Sequence, residues 1–352
     1  MTPRERVLIA MRRGVPDRVP YELHFTPPML ELFQQKTGAT DPATYWTFAE
    51  RWVGFDRPST VVDYTAYYPE GLSAGATINE WGIAETPGSM YHFIKMSHPL
   101  HQAARVEDIA DYPLPDFTRP ECWQHLAGQV AEIHVHNLAA HAALEMTIFE
   151  VSWYLRGMED LFNDMLFQPD WAETLFERIT ALRVFQAQTF AQADVDILGL
   201  GDDVGSQIGM LMSPAMWRQW LKPRLARVIA AARAVKPDIL IWYHSDGDCR
   251  AVIPELIEIG IDILNPVQPE CMNPAEIKVQ YGDRLAFSGT IGTQSTMPHG
   301  TPAEVKAAVK ERIATVGKGG GLLLAPTHVL EPDVPWENVL AFIEAAEEYG
   351  KY

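Results

Sequence analysis

Short apolar runs alternate with longer amphipathic stretches along the 352-residue chain. The apolar run at residues 239–243 has the length and β-rich composition of a buried strand, and it ends at the polar, turn-forming segment 244–248. A helical pattern follows and ends at Gly260, and a second apolar run covers residues 261–265. This order predicts a β-α-β unit whose ligand-type side chains lie at the carboxyl ends of its strands, where parallel α/β folds carry their chemistry.

The same alternation predicts eight strands in the whole chain, centred near residues 21, 60, 140, 197, 241, 263, 286 and 323. Strands separated by helices indicate a parallel sheet of class α/β, and eight repeats favour a (β/α)8 TIM barrel over an open doubly wound sheet, which stays the alternative. No glycine-rich nucleotide-binding loop follows any of these strands, which argues against a nucleotide or dinucleotide enzyme. We expect one domain over residues 1–352, with a hairpin insertion near residues 71–99.

The composition of the chain limits the binding partners and the cellular compartment that we expect. The chain is 47% hydrophobic and 21% charged, as in an ordinary soluble protein, and its net charge of −18 argues against nucleic acid or an anionic membrane as a partner. Three cysteines without regular spacing indicate a reducing compartment. No apolar run approaches the roughly 20 residues of a membrane span, and the N-terminus lacks a signal segment. We expect a cytoplasmic protein.

Polar side chains follow most of the predicted strands, and a barrel would bring them to one mouth. They are Glu22, His24, Asp63, Glu145, Asp202, Asp203, His244, Asp246, Gln268, Glu270, Gln294 and His328. Histidines and carboxylates meeting there have two possible uses. They can hold a divalent metal such as zinc, iron or manganese, or they can act as general acid and base without a metal.

Several of these residues also have a purely structural interpretation. Asp246 can shape a turn, and the pair Asp202 and Asp203 can cap the helix that follows their strand. Aromatic side chains are candidate walls of the pocket, namely Trp81 and Tyr243. A group of three further histidines is expected to be a surface feature between a helix and a strand: His134, His136 and His141.

Certain segments, spread over nearly the whole chain, carry a family resemblance. They are Thr2–Leu8 with Pro16–Pro20, Gly201–Asp203, Ser213–Pro214, His244–Gly247, Asn265–Gln268, Pro326–His328 and Pro335–Val339. Together they resemble the uroporphyrinogen decarboxylase superfamily. The resemblance implies a (β/α)8 barrel with its pocket at the carboxyl ends of the strands, in agreement with the strand pattern.

The first branch of that superfamily comprises the porphyrinogen decarboxylases, which carry the motif Met-Arg-Gln-Ala-Gly-Arg after the first strand. Here residues 21–26 read Tyr-Glu-Leu-His-Phe-Thr, without arginine, and Glu22 would repel a polycarboxylate. His328 does fall where the decarboxylases have a histidine in a Gly-His-Gly motif. A cofactor-independent decarboxylase acting on another carboxylated ring is therefore the alternative function.

The second branch comprises methyltransferases that hold zinc through His-x-Cys and a later cysteine. The matching positions here are His244, Asp246 and His328, so both thiolates are replaced. Two imidazoles and a carboxylate would leave a harder, more Lewis-acidic metal, which suits an oxygen substrate such as a methyl ether. The resemblance thus implies metal-assisted methyl transfer between a small O-methyl donor or acceptor and a corrinoid, with Asp203 or Glu145 positioning the substrate.

The roles expected under this hypothesis divide the candidates into three sets. Metal ligands are His244, Asp246 and His328, and catalytic groups are Asp203, Glu145 and His328. Substrate-binding residues are Glu22, His24, Trp81, Asp202, Tyr243, Gln268, Glu270 and Gln294. The sequence shows no cobalamin-binding segment, so a corrinoid would be carried by a partner protein. A third hypothesis is a non-catalytic module that binds a corrinoid or tetrapyrrole, and barrels of this superfamily often pair as homodimers.

Overall fold

The buried apolar runs form strands, and the amphipathic stretches between them form helices. The computed structural model describes residues 1–59, 62–91 and 94–352. Its strands are β1 Glu50–Val53, β2 Thr77–Ile78, β3 Ala84–Pro87, β4 Ile94–Ser97, β5 Ala139–Glu145, β6 Ile197–Gly201, β7 Gly205–Ser206, β8 Gly209–Met210, β9 Leu240–His244, β10 Ile263–Asn265, β11 Ala286–Ile291 and β12 Leu322–Pro326.

The α-helices are α1 Pro3–Met11, α2 Pro27–Thr37, α3 Pro42–Tyr45, α4 Val106–Ala110, α5 Leu126–Val135, α6 Phe149–Arg156, α7 Met158–Phe167, α8 Pro169–Gln192, α9 Pro214–Trp220, α10 Lys222–Val235, α11 Ile253–Ile259, α12 Pro274–Tyr281, α13 Thr296–His299, α14 Pro302–Thr315 and α15 Trp336–Tyr349. Within the described ranges, no helix combines the length and the hydropathy that a membrane crossing requires.

Seven parallel strands form the main sheet, in the order β1-β5-β6-β9-β10-β11-β12. Every residue of β6, β11 and β12 is buried, because one face of each strand points into the barrel and the other lies under helices. Sequential strands are neighbours throughout this sheet, so their carboxyl ends all lie at the same edge.

The segment before α2 closes the curled sheet beside β12. The Glu22 N–H donates to the Leu324 carbonyl (3.1 Å), and the Leu324 N–H donates to the Pro20 carbonyl (2.9 Å). Side chains complete the closure toward β1, where the rings of His24 and Trp52 meet edge to face with centroids 5.5 Å apart. The predicted first strand is thus present as an isolated parallel bridge, and the predicted TIM-barrel class is confirmed.

Strands β2, β3 and β4 form a separate antiparallel sheet, which is the predicted hairpin insertion. The strand predicted over residues 60–64 is wrong in its described part, because residues 62–64 are irregular; Thr60 and Val61 lie outside the described residues. The strand in this part of the barrel is β1 instead. Asp63 is exposed and accepts the Thr65 N–H (3.0 Å), so its carboxylate shapes a turn and does not line the barrel mouth.

His141 lies inside the barrel, so the prediction of a surface histidine was wrong at this position. Its side chain is buried, stacks on Trp52 with ring centroids 3.8 Å apart, and places Nδ1 3.2 Å from Glu50 Oε2. Burial lowers the pKa of His141 to about 4 and raises the pKa of Glu50 well above its ordinary value. Burial therefore favours the uncharged form of both groups.

We predict that His141 makes the fold sensitive to acid. The unfolded chain protonates this imidazole near pH 6.5, whereas the folded protein does so only near pH 4. Stability contributed by neutral His141 is therefore complete above the unfolded pKa and is lost as the pH falls toward the folded pKa, by up to about 3 kcal/mol. Burial raises the pKa of Glu50, so the contribution of Glu50 to stability grows as the pH falls. Each variant is therefore compared with the wild type at the same pH.

Urea unfolding near pH 7 and about pH 5 measures this effect. His141→Gln should lose less stability between the two pH values than the wild type. The exposed His136→Gln should behave like the wild type, since its imidazole is solvated in both states. Equal acid sensitivity in the wild type and His141→Gln would contradict the assignment.

Candidate active site

The last residues of β9 and β10, His244 and Asn265, pair side by side at the carboxyl edge of the sheet. His244 Nδ1 lies 2.6 Å from Asn265 Oδ1. The Asn265 amide nitrogen donates to the Ser288 carbonyl (3.1 Å), which fixes Oδ1 as the atom that faces the imidazole. Nδ1 therefore carries a hydrogen, and Nε2 is the ring nitrogen open to a proton or a metal ion.

Two carboxylates face that open nitrogen. His244 Nε2 lies 3.6 Å from Asp203 Oδ1 and 3.8 Å from Asp246 Oδ1. The same Asp203 oxygen accepts the backbone N–H of Asp246 (2.7 Å), so the loop after β6 and the loop after β9 are tied together. The Asp203 carboxylate is thus held in position by the Asp246 backbone as well as by the charge of the imidazole.

Two glycines allow these loops to approach each other. A Cβ at Gly201 would lie 2.7 Å from His244 Cβ, closer than two carbons can come. Gly247 has φ of +75°, and a Cβ there would lie 2.5 Å from the carbonyl carbon of Gly205. The close spacing of Asp203, His244 and Asp246 therefore depends on glycine at both positions.

Asp203, His244 and Asp246 form a candidate set of metal ligands, which we call the ligand group. Within the described residues, each of the three offers one ligand atom, and these atoms lie within 4.8 Å of one another. One imidazole and two carboxylates suit zinc, iron or manganese. The expected set contained His328 instead of Asp203. His328 lines the same cavity but is not a member of this group.

The electrostatics of the ligand group favour a cation at His244. Burial would lower the pKa of His244, but the negative charges of Asp246, Asp203 and Glu145 outweigh burial and raise it to about 9. In the absence of a metal, a proton therefore resides on this imidazole near pH 7. A divalent cation bound between Asp203, His244 and Asp246 would replace that proton.

Two cavities that share lining residues lie beside the ligand group, and we call them the outer vestibule and the inner chamber. The outer vestibule has a volume of about 560 Å³, and no lysine or arginine is among its described lining residues. Its wall includes six carboxylates, namely Glu145, Glu150, Asp203, Asp246, Glu331 and Asp333. Its other polar residues include the predicted Gln268 and Gln294.

The inner chamber has a volume of about 130 Å³, and its lining includes residues of β1, β9, β11 and β12. The predicted residues Glu22 and His24 line it. Four residues line both cavities and therefore mark the boundary between them: Glu145, His244, His328 and Val329.

The structure places Asp202 and Tyr243 away from both cavities. The buried Asp202 carboxylate accepts the backbone N–H groups of Ile148 and Glu150, so it caps the start of α6. Tyr243 is buried, and its hydroxyl lies 3.4 Å from the Asp202 carbonyl oxygen. Asp202 therefore caps a helix, as one interpretation of the sequence predicted. The capped helix is α6, which follows the neighbouring strand β5, whereas Asp202 follows β6.

Trp81 and Glu270 also lie outside the described lining of both cavities. Trp81 is buried in the insertion, and the Arg183 guanidinium lies over its ring at 5.1 Å. Glu270 accepts a hydrogen bond from the Ser295 hydroxyl (2.7 Å). Neither side chain is placed to contact a ligand of the outer vestibule or the inner chamber.

Glu150 and Tyr154 are among the residues of the outer vestibule that sequence reasoning missed. The Tyr154 hydroxyl donates to Glu150 Oε1 (3.0 Å), and the Asp203 N–H donates to Glu150 Oε2 (3.0 Å). Burial and the nearby Asp203 and Asp202 raise the pKa of Glu150 to about 8. Both residues lie on helix α6, one turn apart, so a search restricted to strand ends overlooked them.

A parallel barrel with its ligand group at the carboxyl ends of the strands is the architecture of many (β/α)8 enzymes. A family model described as uroporphyrinogen decarboxylase (URO-D) matches residues 83–349. The chain therefore belongs to the uroporphyrinogen decarboxylase family, and the resemblance inferred from its motifs is confirmed.

Relatives of both functional branches are similar to this chain. The methylcobamide:CoM methyltransferase MtaA of Methanosarcina barkeri is 29% identical over 180 residues, or 51% of this chain and 50% of the relative, so the match spans about half of that protein. The uroporphyrinogen decarboxylase of Actinobacillus succinogenes is 31% identical over 292 residues, or 80% of this chain and 76% of the relative. A methyltransferase from Methanosarcina mazei has the same fold, with a TM-score of 0.69, 19% identity and 99% coverage of both chains.

We predict that Asn265 sets the metal affinity of His244 without itself being a ligand. Asn265→Ala removes the acceptor of the Nδ1 hydrogen, so the imidazole loses its fixed orientation, and affinity for zinc should fall about 10- to 100-fold. Competition with a chromophoric chelator measures this. Asn273→Ala is the control, because it removes an exposed helix cap outside the described lining of both cavities and should leave metal affinity unchanged. Unchanged affinity in Asn265→Ala would contradict the orienting role.

Proposed function

We propose that this protein is a methyltransferase-like enzyme. It would transfer a methyl group between a small O-methyl donor or acceptor and a corrinoid carried on a partner protein, with a divalent metal held by Asp203, His244 and Asp246. The observation that carries the proposal is the fixed direction of His244, whose Nδ1 is bound to Asn265 and whose Nε2 faces two carboxylates. A bound divalent ion would supply a Lewis acid for a substrate oxygen.

The donor set supports a hard metal and an oxygen substrate. Its ligand atoms are one nitrogen and two oxygens, and none of the three cysteines belongs to the group. Cys271 is the least buried of them, and its sulfur contacts the amide oxygens of Gln207 and Gln268 instead. Oxygen and nitrogen donors leave more positive charge on a metal than thiolates do, which favours zinc or a similar ion acting on oxygen.

The protein's own residues account for the proton that such a transfer requires. When an O–CH3 bond breaks, its electron pair stays on the oxygen, which then takes up a proton. Glu150 has a pKa of about 8, lines the outer vestibule and is hydrogen bonded to Tyr154, so it holds a proton near pH 7 within reach of this space. Glu145, at the boundary of both cavities, is positioned to orient the substrate.

Decarboxylation of a carboxylated ring is the second candidate, because the Actinobacillus succinogenes relative matches most of the chain. A carboxylated substrate needs cationic partners. The described lining of the outer vestibule carries six carboxylates and neither lysine nor arginine, so the protonated His244 is outnumbered by acidic side chains. Charge repulsion therefore favours methyl transfer over this alternative.

We predict that the purified protein binds about one equivalent of divalent metal, since the site offers one set of three ligands. His244→Ala, Asp203→Asn and Asp246→Asn should each reduce metal content, and methyl transfer to reduced cobalamin from an O-methyl donor should fall at least about 100-fold. His299→Ala is the matched control, because His299 lines the same vestibule outside the ligand group. Less than about 0.2 equivalents of metal, unchanged by His244→Ala, would contradict the proposal.

We further predict that metal binding competes with a proton on His244. The pKa of this imidazole is raised to about 9, so a proton must leave before a metal binds at any lower pH. Zinc affinity should rise roughly tenfold per pH unit from neutrality to about pH 9 and then level off. Calorimetry in buffers of different ionisation enthalpy should detect about one released proton near pH 7. Affinity that is constant over this range would show that His244 is not a ligand.

A further inference from the structure

The loop that carries Asp246 is fixed at both ends by backbone hydrogen bonds. It covers residues 245–248, directly after β9. Its first N–H donates to the Asn265 carbonyl (3.0 Å), and its last N–H donates to the Ser206 carbonyl (2.9 Å). Asn265 ends β10 and Ser206 ends β7, so the loop is attached to a neighbour on each side.

The two middle N–H groups of this loop donate to side chains instead. The Asp246 N–H donates to Asp203 (2.7 Å), and the Gly247 N–H donates to Gln268 Oε1 (2.7 Å). Asp203 belongs to the ligand group, so its carboxylate would serve a bound cation as well as the loop. Gln268 is not a member of that group. Its hydrogen bond can therefore hold the centre of the loop whether or not a cation is bound.

The carboxamide of Gln268 has one defined orientation. A backbone N–H is always a donor, so the atom that faces Gly247 must be the amide oxygen and not the amide nitrogen. The Cys271 thiol lies 3.4 Å from the same oxygen and can also donate to it. The Gln268 residue is only 3% exposed, so removal of its oxygen would leave the Gly247 N–H buried without this acceptor.

The backbone immediately before Gln268 is strained. The buried Val267 has φ of +50°, a left-handed conformation that β-branched residues rarely adopt because Cβ crowds the backbone. Such a conformation persists only where the surrounding structure imposes it, and strain of this kind clusters at functional sites. The strain at Val267 accompanies the placement of Gln268, which indicates that the direction of this side chain matters to the site.

We propose that Gln268 is a positioning residue for the ligand group. Its amide oxygen holds the Gly247 N–H, and this bond keeps the preceding Asp246 carboxylate beside His244, where Asp246 Oδ1 lies 3.8 Å from Nε2. Gln268 acts in this role through Asp246 and needs no contact with a metal or a substrate. Its effect on a metal rests on the proposed function, whereas the hydrogen bond to Gly247 does not.

Amide hydrogen exchange of the metal-free protein, read at single residues by mass spectrometry, tests the hydrogen bond. Gln268→Met has a similar volume but lacks the amide oxygen, so the Gly247 amide should exchange at least about tenfold faster than in the wild type. Gln268→Glu keeps an acceptor oxygen and should retain the protection to within about threefold. Amides in β11 and β12 should exchange equally in all three proteins, since a general loss of stability would change them as well.

Zinc affinity, measured by competition with a chromophoric chelator, tests the consequence for the ligand group. Gln268→Met should bind zinc about 10- to 100-fold more weakly than the wild type, as is typical when a group that orients a metal ligand is removed. Gln268→Glu should bind zinc at least as tightly as the wild type, because it keeps the acceptor and adds a negative charge. Gln280→Met is the matched control: it makes the same substitution at an exposed position of α12 and should change neither zinc affinity nor Gly247 exchange.

Different outcomes bear on the positioning role and on the proposed function. Fast Gly247 exchange and weak zinc binding in Gln268→Met, both restored in Gln268→Glu, would support the positioning role, and the absence of methyl transfer would then contradict only the proposed function. Unchanged Gly247 exchange in Gln268→Met, or unchanged zinc affinity despite faster exchange, would overturn the positioning role alone. A wild-type protein that binds no zinc would contradict both.

Discussion

The hydrogen bond between His244 and Asn265 is the constraint on which the site depends. It joins the last residues of β9 and β10, whose parallel register places the two side chains next to each other. Because Asn265 occupies Nδ1, the Nε2 atom faces the two carboxylates of Asp203 and Asp246. The parallel pairing of β9 and β10 brings His244 and Asn265 within hydrogen-bonding distance. That hydrogen bond determines which nitrogen of His244 is available for chemistry.

The second constraint is the accumulation of negative charge at the barrel mouth. Asp203 and Asp246 lie close together, and further carboxylates line the same vestibule, so ionising all of them without a cation is unfavourable. The protein relieves this repulsion partly by keeping a proton on His244 and another on Glu150, whose pKa values are raised to about 9 and about 8. A bound divalent cation would relieve it more completely. The same charge would repel anionic substrates and attract cationic ones.

The fold was largely predictable because most strands are long apolar runs bounded by turn residues, as in β6, β9 and β12. The break between α9 and α10 follows from Pro223, which lies in the first turn of α10 and has no backbone N–H to continue the hydrogen bonding of α9. Strand β1 escaped prediction because its four residues begin with Glu50 and Arg51, and only the closed barrel explains why a buried carboxylate is tolerated there.

The site was predictable only where its residues end strands. His244, Asp246 and Glu145 follow apolar runs and were found in this way. The ligand group contains Asp203 where His328 was expected. The hydrogen bond from the Asp246 N–H to Asp203 holds Asp203 in this group, and such a tertiary contact has no sequence pattern. Glu150 and Tyr154 lie on a helix. His141 points into the barrel from β5, where the residues before and after it are alanines. Their positions depend on how α6 and β5 pack in the closed barrel.

X-ray absorption at the metal edge of the zinc-loaded protein tests the central claim most directly. The account predicts a first shell of nitrogen and oxygen only, at about 2.0–2.2 Å, with the scattering signature of a single imidazole. A sulfur contribution at about 2.3 Å, or the signature of two imidazoles, would show that other residues hold the metal.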